Sequence, residues 1–269
     1  MDIRILRLLR HNNQIQYAAI FAATLLLGYN RTIAAESNAR LEPEQGYFGF
    51  VPKPYDEAVG ERLLSSTKYR KCQAVFMPSF HVENAVYMKM DDDHPTALPL
   101  IVSARFEKQL WYQIMTILES AADSNGTYSV AAEAKARALA KTQSVIICRE
   151  APIDRETANI LETVWNAMLM RVRPPEESTH GFDGETIHFA NFEQGIGYRT
   201  GMVWSPDEGT ETYEFTELAR SLQKYTGLPE SDRKMATEAL VEKANKLLRR
   251  LNVTSNDTQT HPTVTLKKP

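Results

Sequence analysis

The feature that most limits what this chain can fold into lies at its start. A basic segment carrying Arg4, Arg7 and Arg10 leads into an uncharged apolar run over residues 17–27. A positive segment followed by about 7–15 apolar residues has the form of a secretory signal peptide. The small residues Thr32, Ala34 and Ala35 place cleavage after Ala35 or one residue earlier, so residues 1–35 are expected to take no part in the mature fold. The run is too short to remain as a bilayer-spanning anchor, which needs about 20 apolar residues. A mitochondrial presequence is the competing reading of the basic start, although such segments usually lack a continuous apolar block. The first cysteine is Cys72, far from the cleavage point, which argues against a lipid anchor. The expected address is periplasmic or secreted.

Beyond the leader the chain is long enough for one substantial core and holds no second apolar run of membrane-spanning length. The chain has 31 basic and 34 acidic residues, and removal of Arg4, Arg7, Arg10 and Arg31 with only Asp2 takes its net charge from −3 to −6. A mildly acidic domain without a basic stripe is a poor candidate for nucleic acid or anionic lipid, which leaves another protein as the expected partner. Cys72 and Cys148 are the only cysteines, and an even count in an oxidising compartment predicts a Cys72–Cys148 disulfide. Such a bridge would close a long loop and stabilise the fold on the order of 4 kcal/mol. The alternative is a pair of free thiols.

Along the chain the hydrophobic period changes repeatedly. Residues 36–55, rich in Pro, Gly and polar residues with Tyr47, Phe48 and Phe50 among them, read as an extended arm, and 56–66 as a short helix with Val59, Leu63 and Leu64 on one side. Strands are expected over 72–77, 85–90 and 98–105, the last two joined by a hairpin tip at 91–95. Residues 106–122 shift to helical spacing, 131–141 read as a second helix, and the β-branched run 144–148 as a buried strand. Asp154 is the expected N-cap of a helix whose apolar stripe is Ile160, Leu161, Val164, Trp165, Met168 and Leu169. A hairpin over 185–204 turns at Gly195 and Gly197. Phe215, Leu218, Leu222 and Tyr225 then mark a helix, and 231–251 a last one with Met235, Leu240, Ala244, Leu247 and Leu251 facing the core. From 252 to 269 the composition is too polar to offset ordering entropy, so a disordered tail is expected. Strands mixed with helices without strict alternation predict a single α+β domain over 56–251, a short antiparallel sheet packed with several amphipathic helices.

Three clusters carry residue types that chemistry uses. Ser79, His81 and Glu83 could serve as nucleophile, base and orienting acid, but residues two apart on an extended segment sit roughly 6.5–7 Å apart, too far for triad contacts. His180, Asp183 and His188 bring two imidazoles and a carboxylate close enough in sequence to close on a metal across a turn; Asp183-Gly184 is equally explained as turn chemistry and His188 as a half-buried strand residue. Asp91, Asp92 and Asp93 lack the alternation of a calcium loop and read as a solvated hairpin tip, available as an acidic surface for a partner. No Gly-x-Gly-x-x-Gly or phosphate loop is present, and no cofactor is expected.

From Ile153 onward, Trp165-Asn-Ala-Met-Leu169, Gly181-Phe-Asp-Gly184, Phe189, Gly195 and Trp204-Ser-Pro206 together resemble a group of exported Gram-negative bacterial proteins of uncharacterised function. The resemblance covers the C-terminal part of the chain. It implies a periplasmic address and assigns no activity or catalytic residue. Leader, acidic balance and the geometric failure of each cluster predict an exported, non-catalytic interaction or inhibitor protein, immunity-like in setting. The alternative is a metal-dependent or other hydrolase acting in the periplasm through His180, Asp183 and His188.

Overall fold

Strand β1 (Arg70–Pro78) is buried on both faces from Cys72 onward, a pattern that requires a layer of helices on each side of the sheet. The computed structural model of the protein describes residues 39–43, 55, 59–60, 62–64, 70–91, 94, 96–122, 128–143, 145–174 and 184–252. The expected leader, Tyr47, Phe48 and Phe50 of the arm and all of the tail beyond Asn252 lie outside them. After β1 come β2 (Asn84–Lys89), β3 (Leu100–Phe106), α1 (Leu110–Glu119), α2 (Val130–Gln143), β4 (Ile146–Pro152), α3 (Arg155–Leu169), β5 (Glu185–Glu193), β6 (Gly197–Trp204), α4 (Glu211–Thr226) and α5 (Glu230–Arg250). The strands form one antiparallel sheet in the order β4-β3-β2-β1-β5-β6. The fold is a single α+β domain.

Alternation along the strands sorts side chains into two cores. Cys72, Ala74 and Phe76 of β1 join Val86, Met88, Ile101, Ile187, Phe189 and Val203 beneath α3, α4 and α5. Val75, Met77, Ala85, Tyr87, Val102, Ala104 and Phe106 face the other way, under α1 and α2 and the buried residues Tyr55, Val59, Leu63 and Leu64. Residues 55, 59–60 and 62–63 are helical, in keeping with the short helix expected there. Trp165 is fully buried, 4.6 Å from the Phe215 ring, and its Nε1 donates to the Gln73 carbonyl at 3.0 Å. Asp154 caps α3 by accepting from the Thr157 N–H, and the stripe expected on that helix is buried apart from the partly buried Ile160.

β1 carries a bulge between Lys71 and Ala74, where Cys72 has a φ of 49°. The displaced Cys72 N–H donates to Asn191 Oδ1 at 2.9 Å, and Asn191 Nδ2 donates to Asn166 Oδ1 at 2.7 Å, so side chains of β5 and α3 satisfy what the ladder leaves open. At the β5–β6 turn Gly195 and Gly197 take φ values of 87° and 99°, conformations other residues adopt only at a cost. The arm reaches the outer edge of β6, where Glu42 and Met202 exchange two backbone hydrogen bonds of 2.8 Å and Leu41 is buried.

Four expectations need correction. The Cys72–Cys148 disulfide is absent and both thiols are free. Cys72 lies on β1 beneath α3, whereas Cys148 is exposed on β4, three strands away and opposite Ala104 of the second core. Three strand spacings of about 4.8 Å far exceed the ~7 Å that a bridge tolerates between Cα atoms. The run expected as a buried strand is β4, an exposed edge in which only Ala151 is buried, because β-branched residues suit edge and centre alike. Met235 is 71 % exposed: five residues before Leu240 it points about 140° away around α5 from the line through Leu240, Ala244, Leu247 and Leu251. Phe106 ends β3 rather than starting a helix, donating its N–H to the Glu83 carbonyl.

Candidate functional site

Of the residues that looked like a triad, Ser79 and Glu83 are committed elsewhere. Ser79 exchanges hydrogen bonds with Gly184, its N–H donating to the Gly184 carbonyl at 2.8 Å and its Oγ accepting from the Gly184 N–H at 3.3 Å. His81 is exposed on the loop after β1. Glu83 is fully buried beneath the start of α1. Its carboxylate accepts from the backbone N–H of Trp111 at 2.9 Å, from that of Leu110 at 3.0 Å and from the Tyr55 hydroxyl at 3.1 Å. Gln109, at the N-cap position of α1, makes no side-chain cap bond, so Glu83 caps this helix from 27 residues away. Burial pushes the Glu83 carboxyl above its ordinary range, against the pull of the N–H donors and of Tyr55.

The metal-ligand cluster is not brought together by the described residues. His188 lies on β5 opposite Val75 and Met202 and is 7 % exposed, buried where a half-buried position was expected. His180 and Asp183 fall outside the described residues, and among those residues no group of three or more His, Cys, Asp or Glu is placed to hold a metal. At the hairpin tip Asp91 folds back on His94, accepting from its N–H at 3.0 Å and meeting its Nδ1 at 3.1 Å. Asp92 and Asp93 lie outside the described residues.

A cleft forms instead where β2 and β4 begin and β3 ends, beneath the last turns of α4. Alternation places Ser103 and Arg105 of β3 on the α4 side, and the register sets Asn84 and Ile147 opposite Arg105 and Arg149 opposite Ser103. Gln223 and Thr226 form the opposing wall, with His81 and Val82 at the rim of a cavity of about 610 Å³. The wall is stitched to the sheet. Ser103 Oγ and Thr226 Oγ1 lie 2.6 Å apart, Thr226 Oγ1 donates to the Gln223 carbonyl at 2.8 Å, and Gln223 Nε2 donates to Asn84 Oδ1. The Tyr225 hydroxyl fixes the end of α4 to the Pro152 carbonyl of β4 at 2.7 Å.

Arg105 and Arg149 are diagonal neighbours on adjacent strands, both exposed, and neither makes an ion pair among the described residues. Other cations around the fold are matched: Lys71 with Glu162, Arg171 with Glu211, Arg199 with Glu193, Arg220 with Glu185, and Arg250 with Glu214. Arg149 lies across the C-terminus of α4, where a Cβ on Gly227 would come within 2.8 Å of its Nη1. Glycine there lets the guanidinium approach the negative end of the helix dipole. Two guanidiniums left without a counter-ion and framed by amides and hydroxyls have the chemistry to bind anionic groups. The hydroxyls of Ser103 and Thr226 bond to each other and so tie β3 to α4.

Sequence reasoning did not find this site. Its parts come from four separated stretches, and the only local trace is the polar alternation of Ser103 and Arg105 at the end of an apolar strand. No family model matches the chain, and no curated protein or solved structure matches it. Among the described residues no helix is long and apolar enough to cross a membrane.

Proposed function

We propose that the chain is an exported, non-catalytic interaction domain that works in the periplasm and binds another protein, in the manner of an inhibitor or immunity protein. The observation that carries this reading is the cleft between β2–β4 and α4, in which Arg105 and Arg149 stand uncompensated on a molecule whose mature net charge is −6 once the leader is removed. A local cationic recess on an acidic body favours one docking orientation and repels most of the remaining surface from an acidic partner. The basic and apolar leader, and the resemblance of the C-terminal part to exported Gram-negative proteins, support the address.

The test uses the full chain with a C-terminal tag, produced in a Gram-negative host and recovered from the periplasmic fraction. A mature N-terminus at or next to Glu36 is expected, with a co-purifying protein that rebinds the purified domain in a one-to-one ratio. Intact Met1 on the recovered protein refutes the export reading. Absence of any stoichiometric partner under native low-salt conditions refutes the interaction reading.

A further inference from the structure

We propose that the cleft takes an extended acidic segment of its partner, with Arg105 and Arg149 each receiving a carboxylate from side chains two residues apart, and with the amides of Asn84 and Gln223 beside the segment's backbone. The inference rests on the interaction reading above and names the chemistry of the bound surface.

The spacing selects this ligand. Diagonal neighbours on adjacent antiparallel strands are about 7–8 Å apart, so the backbone roots Arg105 and Arg149 at two separate points of the same face. Side chains two apart on an extended peptide point the same way at roughly 6.5–7 Å, which matches that separation. One small tetrahedral anion is met only if both guanidiniums bend towards a single point, whereas two carboxylates at this spacing are each met separately, and competition with phosphate distinguishes the two. The lining between the arginines also suits a peptide. Ile147 lies directly opposite Arg105 and is partly buried, a low apolar floor for a side-chain stem, while Asn84 and Gln223 each combine donor and acceptor capacity, the complement of a peptide backbone. A volume of about 610 Å³ along an exposed edge strand accommodates a few residues of chain.

The decisive measurement is fluorescence anisotropy of a labelled hexapeptide alternating glutamate with serine, titrated with the full-length protein at low salt. Saturable binding is expected, together with loss of affinity of at least about tenfold, the factor that 1.4 kcal/mol represents, in the Arg105→Gln/Arg149→Gln double variant. The charge-matched pair Lys234→Ala/Arg249→Ala, both exposed on α5, is expected to keep wild-type affinity. Replacing glutamate by glutamine in the peptide is expected to abolish binding, and inorganic phosphate at the peptide's concentration to leave the complex intact. Urea midpoints of both double variants confirm that they are folded. Equal loss in the two double variants overturns the proposal in favour of a net-charge effect. Displacement by equimolar phosphate overturns it in favour of a small-anion site, and undiminished binding to the glutamine pair overturns it outright. A stoichiometric partner that binds the Arg105→Gln/Arg149→Gln protein as well as wild type sinks this inference while leaving the interaction reading intact; the expected peptide binding without any partner does the reverse.

Discussion

Replacing Glu83 separates two roles that its sequence context confuses. If Glu83 is a buried cap for α1, Glu83→Ala leaves the backbone N–H groups of Leu110 and Trp111, and the Tyr55 hydroxyl, without their carboxylate acceptor. Each buried donor left unsatisfied costs about 1–3 kcal/mol, so the two N–H groups alone set a scale of roughly 2–6 kcal/mol. Removing an ionised group whose burial is unfavourable returns part of this, and the expected net loss is about 3 kcal/mol. Glu83→Gln keeps one oxygen for Trp111 and Tyr55 but sets an amide NH₂ against the Leu110 N–H, for an expected loss of about 1–2 kcal/mol. Urea unfolding followed by far-UV circular dichroism orders the variants, alanine below glutamine below wild type. An alanine loss under about 1 kcal/mol, or glutamine below alanine, refutes the capping argument. The pH dependence has a definite sign. Because the folded carboxyl is raised, the native state holds its proton more tightly than the unfolded chain. The stability from that proton is fully present below the ordinary glutamate range and is lost as pH rises through the raised folded value. Wild type should therefore gain on Glu83→Gln as pH is lowered from neutral towards about 4.5; a gap that narrows on acidification contradicts the assigned shift.

Trp165→Ala should cost about 4–5 kcal/mol in the same assay, since it removes a fully buried ring packed on Phe215 and Phe189 and orphans the Gln73 carbonyl. His188→Ala is expected to cost less, about 1–3 kcal/mol, and a larger loss than that of Trp165→Ala would point to a metal or an essential buried network at β5. Titration with an aromatic disulfide reagent should find one reactive thiol, Cys148, in the native protein and two in denaturant, with a urea midpoint indifferent to reductant. Burial and then Glu150 hold the Cys148 thiol above its ordinary value, so its labelling should accelerate with rising pH, and a midpoint that falls on reduction would reinstate the bridge. Metal analysis of the purified protein is expected to give less than about a tenth of an equivalent, whereas a stoichiometric metal lost on replacing His188 would reinstate a metal site at β5.

Much of the fold was legible because its helices are one-sided. Asp154 announces α3 and the stripe from Leu161 to Leu169 fixes its buried face, so cap and period agree. Phe215, Leu218, Leu222 and Tyr225 do the same for α4. The period was less informative where a helix touches others along part of its length, as with Met235 on α5. Strand composition did not reveal sheet position: Val145, Ile146 and Ile147 would suit a central strand, but only β3 pairs with β4, and Arg149, Glu150 and Pro152 are the residues that blunt an open edge. The disulfide expectation failed for the same reason, since cysteine parity carries no information about how many strands lie between two positions.

The sites depended still more on partners far along the chain. Ser79, His81 and Glu83 invite a local reading, yet Gly184 claims Ser79 and the start of α1 claims Glu83, contacts spanning 105 and 27 residues. The cleft depends on register above all. With Arg149 opposite Ser103, its side chain shares the α4 face with Arg105, while Glu150 turns to the second core's side opposite Val102. A slip of one residue in β4 would exchange them, since every side chain changes face. Glu150 would then stand diagonal to Arg105 and the pair would be an ordinary cross-strand ion pair, from the same composition and the same two strands. The cationic character of the cleft is thus a property of the β3–β4 pairing, which is why no reading of either strand alone reaches it.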